Sequence, residues 1–132
     1  MIEDKDLLNK LNKEEFVVCE IHGTSMFPLL KQGRDKVIIT KLQDTLNKYD
    51  VVLYKAKNAF VLHRIIDIKD KELIIRGDNC INKEYINTDN VIGILKAIYR
   101  KGKYIEVNKK INKKYYLLSN STYLFRKLIS KI

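Results

Sequence analysis

Apolar residues along this chain come in short runs rich in Val, Ile and Leu, parted by polar stretches carrying Gly, Asn, Asp and Lys. That is the pattern of strands joined by tight turns, and it predicts an antiparallel sheet. Strands are expected at 16–21 (FVVCEI), 36–40 (KVIIT), 51–54 (VVLY), 60–66 (FVLHRII), 72–76 (ELIIR), 91–99 (VIGILKAIY) and 104–107 (YIEV). Turns fall at 32–35, 55–58, 70–71 and 101–103, while the polar stretches 43–47 and 82–90 read as connecting loops. The two ends differ. Residues 2–13 set Ile2, Leu7, Leu8 and Leu11 among Asp, Lys and Asn, which predicts a short amphipathic helix. Near the other end, Leu124, Phe125, Leu128, Ile129 and Ile132 recur at helical spacing with Arg126, Lys127 and Lys131 between them. The expected fold class is therefore mostly β: a single antiparallel domain over 1–132, with a core at about 16–107 and a basic amphipathic tail at 108–132.

One stretch departs from the strand-and-turn rhythm. His22-Gly23-Thr24-Ser25-Met26-Phe27-Pro28-Leu29-Leu30 contains the sole proline of the chain and presents Ser25 just past a strand end. A serine in a loop bounded by Gly and Pro can simply make a turn. It becomes a nucleophile near neutral pH only with a base beside it, and histidine is the commonest base. The chain has two histidines, His22 and His63. His63 sits in an apolar strand on one face with Val61 and Ile65, a placement that also suits a buried, hydrogen-bonded histidine. Asp78, directly after Gly77 at a strand end, is a carboxylate of the kind that could hold an imidazole.

Composition narrows the setting. At 132 residues the chain has room for one core. Its net charge of +10 favours contact with something acidic, although most of the lysines are dispersed. Cys19 and Cys80 show no metal or disulfide spacing, so neither a metal nor another cofactor is expected. No apolar run approaches the roughly 20 residues that span a bilayer, and the charged first residues do not read as a signal peptide. A cytoplasmic or peripheral-membrane protein is expected, with the basic tail as a possible contact to anionic membrane.

The order of motifs carries more than any one of them. Residues 23–30 (GTSMFPLL) with Gly33, then 49–54 (YDVVLY), 62–66 (LHRII), 75–79 (IRGDN) and 89–94 (DNVIGI) together resemble the signal peptidase I superfamily, which includes the self-cleaving LexA-like repressors. The resemblance covers about residues 16–100. It implies a LexA- and signal-peptidase-like fold and a serine endopeptidase that hydrolyses peptide bonds, with Ser25 as nucleophile. A lysine is the base in most bacterial members; here His63-Arg64 matches the endoplasmic-reticulum and archaeal-like branch, in which histidine takes that role. That branch implies an orienting acid, with Asp78 first and Glu84 as the alternative. The oxyanion would be held by the Ser25 backbone N–H with help from the Gly23-Thr24 turn, and Met26 would shape the loop. Arg64 is expected to support the structure.

No transmembrane run is read in this sequence, and only about ten residues part His63 from Gly77, too few for the inserted second β-domain of many relatives in that superfamily; a minimal catalytic core acting on a peptide or preprotein substrate is therefore expected. Two other readings stay open. A LexA-like self-cleaving domain predicts a helix-turn-helix before the core and an Ala-Gly or Cys-Gly cleavage dipeptide; with about fifteen residues before the first expected strand and neither dipeptide in the sequence, this reading is disfavoured. A catalytically inactive basic β-domain would bind anionic lipid or, less favoured, nucleic acid, and predicts that Ser25 and His63 lie apart.

Overall fold

The computed structural model describes residues 1–42 and 45–132, so the first two positions of the loop expected at 43–47 lie outside the described residues. The chain forms α1 (Leu7–Lys13), β1 (Phe16–Glu20), β2 (Asp35–Lys41), β3 (Val51–Ala56), β4 (Ala59–Lys69), β5 (Glu72–Arg76), β6 (Glu84–Asn87), β7 (Val91–Arg100), β8 (Lys103–Glu106) and α2 (Lys109–Ile129). All strand pairs are antiparallel, in the order β1-β2-β7-β3-β4-β5-β6. β7 is long enough to serve two neighbours on one side: Val91–Ile94 pair with β3 and Ala97–Arg100 with β8.

The mostly-β expectation holds, with two differences. The first helix begins at Leu7, and Ile2 instead forms a bridge to Phe60 on β4. The polar stretch 82–90 is not simply a loop: Glu84–Asn87 is a strand paired with β5, followed by a single 3₁₀ turn at Thr88–Asn90. Its sequence, Glu-Tyr-Ile-Asn, has no apolar run because this edge strand is mostly exposed, so hydrophobic periodicity had little to register.

Strands β3 and β4 are buried on both faces. Val51, Leu53 and Leu62 join the main core with Leu7, Leu11, Val37, Ile39 and Leu95. Val52, Tyr54 and Ile65 pack with Leu73 and Ile75 on the other side. A two-residue turn at Lys57-Asn58 closes the β3–β4 hairpin, with Lys57 at φ 54°, and fixes the register. Because side chains alternate across a strand, that register decides which residues His63 can meet.

Candidate active site

The pleat brings one set of side chains to one face. Val52 stands opposite His63 and Tyr54 opposite Val61, so Tyr54 is the diagonal neighbour of His63. Ile65 pairs with Ile75, and Ile75 with Glu84, which carries the same face across β5 to β6. Tyr54, His63 and Glu84 thereby converge although they lie on β3, β4 and β6. The Tyr54 hydroxyl donates to Glu84 Oε2 at 2.9 Å and lies 3.1 Å from His63 Nδ1, while Glu84 Oε1 is 3.7 Å from the same nitrogen.

These contacts decide the tautomer of His63. A phenol has one proton, and burial followed by the nearby Glu84 carboxylate pushes the Tyr54 pKa well up, so the proton stays on oxygen. Donated to Glu84, that proton leaves the phenol oxygen only as an acceptor toward His63. Nδ1 therefore carries the imidazole proton, and Nε2 keeps its lone pair. Burial, only partly offset by Glu84, holds the His63 pKa below its ordinary value, so the neutral ring predominates at neutral pH.

The Nε2 side looks toward the serine loop. A Cβ placed on Gly77 would stand 3.0 Å from His63 Nε2, 2.7 Å from the Ser25 carbonyl oxygen and 2.6 Å from Cys80 Sγ. The imidazole nitrogen and the Ser25 carbonyl thus both border one methyl-sized position, and Gly77 leaves that position open. Ser25 is half-buried, and its hydroxyl makes no hydrogen bond among the described residues.

The loop carrying Ser25 is held from two sides. Asn79 N–H donates to the Ser25 carbonyl at 2.9 Å, Asn79 Nδ2 donates to the Thr24 carbonyl at 3.1 Å, and Asp78 N–H points at Met26 Sδ at 3.4 Å. Met26 itself is buried in the core. Farther along, Arg34 donates to the Pro28 and Leu29 carbonyls and Arg100 to Leu29, both while paired with the buried Asp35. Gly23 turns at φ 91° and donates its N–H to Gln32 Oε1. The Ser25 N–H, the expected oxyanion donor, has no acceptor among the described residues.

The two candidate carboxylates take different partners. Asp78 receives Arg64 Nε at 2.7 Å and Nη2 at 2.8 Å, a bidentate pair with both side chains 1 % exposed. Arg64 Nη1 is used up on the Tyr49 carbonyl and on Asn112. Arg64 lies on the face of β4 opposite His63, as alternation requires, and Asp78 follows it there. Glu84, the alternative acid, is the carboxylate beside the imidazole, and Asp78, the first candidate, is not. Tyr54 is not among the site residues that the sequence motifs point to; the short hairpin turn places it, because the residue two beyond Val52 must lie diagonal to His63.

His22, the other histidine, flanks the loop on the far side of Gly23, and its carbonyl accepts from the Met1 amine at 2.9 Å. Cys80 is half-buried, and burial raises its thiol pKa, which keeps it protonated and a poor nucleophile. No group of three or more potential metal ligands occurs among the described residues. A cleft of about 970 Å³ lined by Thr40, Asp50, Ile94, Tyr104 and Asn112 includes none of Ser25, His63 or Glu84. No protein-family model matches the chain, and no curated protein matches it significantly.

Proposed function

We propose that this protein is a serine endopeptidase of the signal peptidase type, with Ser25 as nucleophile and His63 as general base. The observation that carries the reading is the convergence on Gly77: the Ser25 carbonyl and His63 Nε2 both border the small gap that Gly77 leaves open. The order of motifs in the chain supports the same assignment.

In this mechanism Ser25 Oγ attacks the carbonyl carbon of the scissile bond while its proton passes to His63 Nε2. The oxyanion is met by the Ser25 N–H. His63 then hands the proton to the leaving amine, which departs and leaves an acyl-enzyme on Ser25. Water attacks that ester with Nε2 again accepting the proton, and Ser25 Oγ leaves the acyl carbon taking that proton back from Nε2. Positive charge on the ring during each step is balanced by Glu84, partly directly and partly through Tyr54. Asp78 acts at one remove, by locking Arg64 and the Gly77–Cys80 turn that holds the Ser25 carbonyl. The exposed Phe27 and Tyr85, sequence neighbours of Ser25 and Glu84, offer apolar surface for a peptide chain.

The test is covalent labelling with a fluorophosphonate, read by intact mass and peptide mapping. Wild type should gain one adduct on Ser25, and Ser25→Ala none. His63→Ala should label at least about a hundredfold more slowly, the usual scale of general-base assistance. An unlabelled wild type, or an adduct elsewhere, would sink the assignment.

A further inference from the structure

Helix α2 packs Ile111 and Tyr115 against the main core near its start, but the stripe it turns to the rest of the body is largely of hydrogen-bonding and aromatic residues. Asn112, Tyr116, Ser119, Tyr123 and Arg126 recur at alternating steps of four and three, one stripe along the helix. Each of them meets the body of the protein. Asn112 accepts from Arg64, Tyr116 stacks on Tyr49 with centroids 4.3 Å apart, and Ser119 Oγ donates to the Asp78 carbonyl at 2.7 Å. The Arg76 guanidinium lies 4.7 Å from the centre of the Tyr123 ring, and Arg126 donates to the Cys80 carbonyl at 3.0 Å.

The opposite stripe is apolar and open to solvent. Leu117, Leu124, Phe125, Leu128 and Ile129 are all more than half exposed, Leu124 reaching 76 %, and Ile132 just beyond the helix end is 99 % exposed. A monomer in water gains nothing from such a surface. The charge around it says what fits: after Glu106 the chain carries seven Lys and Arg and no Asp or Glu. Lys110, Lys113 and Lys114 lie at the start of the stripe, and Lys127 and Lys131 beside its end, all exposed. A second copy would bring seven like charges against seven. No helix among the described residues is long and apolar enough to cross a membrane, so α2 would lie on a surface rather than span it.

We infer that the outward face of α2 docks on an anionic lipid bilayer, with Leu124, Phe125, Leu128, Ile129 and Ile132 entering the acyl–headgroup boundary and the lysines meeting lipid phosphates. The inference stands independently of the peptidase reading. It adds one thing to it: because Ser119 and Arg126 of the same helix hold the carbonyls of Asp78 and Cys80, a docked α2 places the Gly77–Cys80 turn, and Ser25 with it, close to the membrane surface.

The test is co-sedimentation of the full chain with vesicles of phosphatidylcholine alone or mixed with phosphatidylglycerol, alongside analytical ultracentrifugation without lipid. Wild type should bind the anionic vesicles, bind the neutral ones far less, and be monomeric in low salt. The triple variant Leu124→Ser, Phe125→Ser, Leu128→Ser should bind about tenfold more weakly or worse. Its altered side chains make no described contact with the sheet, so its circular dichroism and melting temperature should match wild type. Lys110→Gln with Lys113→Gln and Lys114→Gln supplies a second variant that leaves the apolar stripe intact and should lose the anionic preference. Failure of wild type to bind anionic vesicles would overturn the inference, as would equal binding by the triple variant. A low-salt wild-type dimer that the triple variant abolishes, without lipid binding, would assign the face to a second copy instead. Ser25 labelling reads catalysis separately, so failure of one reading is distinguishable from failure of the other.

Discussion

At the scale of single residues, the site turns on a glycine chosen for what it lacks. Gly77 does not have a positive φ; its constraint is that any Cβ would press on the Ser25 carbonyl and the His63 ring together. Gly77→Ala should therefore push the two apart and cut fluorophosphonate labelling by about a hundredfold, the cost of a misplacement near 1 Å. Tyr54→Phe tests the other side of the ring. It removes the hydroxyl that makes Nδ1 the protonated nitrogen, and ¹⁵N spectra of His63 should shift away from the Nδ1–H tautomer while labelling slows roughly tenfold or more. An unchanged tautomer in the variant would show that Glu84 alone orients the ring.

The two carboxylates separate by what they disturb. Asp78→Asn breaks a buried bidentate pair and leaves Arg64 short of its counter-charge, which should cost about 3–5 kcal/mol in urea unfolding. Glu84 is nearly half exposed, so Glu84→Gln should leave the urea midpoint almost unchanged and slow labelling. If the stability losses came out the other way round, the assignment of roles would fail. His63 also sets a pH dependence. Its folded pKa is lowered below the ordinary value of about 6.5, chiefly by burial, so labelling should rise with pH through a midpoint below that value and be flat by neutrality. The same lowering contributes stability that is complete above about pH 6.5 and lost as the pH falls through the folded pKa. His63→Phe should flatten that part of the stability profile.

At the scale of elements, the long apolar strands were legible in the sequence, and β6 was not. β3, β4 and β5 carry β-branched runs because both of their faces are covered or nearly so, and such runs declare themselves. β6 is a four-residue edge whose place is set by pairing with β5, and pairing leaves no mark on hydrophobic periodicity. That is why Glu84 could be named as a candidate acid from motif order while its advantage over Asp78 could not be seen: the register Ile75 to Glu84 decides it. Tyr54 was hidden for the converse reason, as one aromatic residue in a strand that looks like core. Helix α2 was legible as an amphipathic helix but not in its orientation. Hydrogen-bonding groups on its inner stripe outweigh the apolar residues opposite, because the fully buried Arg64 requires the Asn112 oxygens. Asn112→Leu should accordingly destabilise the fold by about 1–3 kcal/mol despite adding apolar bulk, measured by urea unfolding.

At the scale of the whole molecule, the positive charge and the bare helix face balance each other, and that balance depends on the solvent. At low ionic strength the charges of neighbouring molecules repel over tens of ångströms; at about 1 M salt the screening length falls to about 3 Å. The apolar stripe of α2 is unaffected by screening and, if anything, strengthened by strongly hydrated anions. Added sulfate should thus turn a well-behaved solution cloudy or oligomeric, and removing it should clear the solution again. The triple serine variant of α2 should stay clear throughout, as light scattering would show. The outward-turned helix thus makes salt, usually a solubiliser of basic proteins, the condition under which this one comes out of solution.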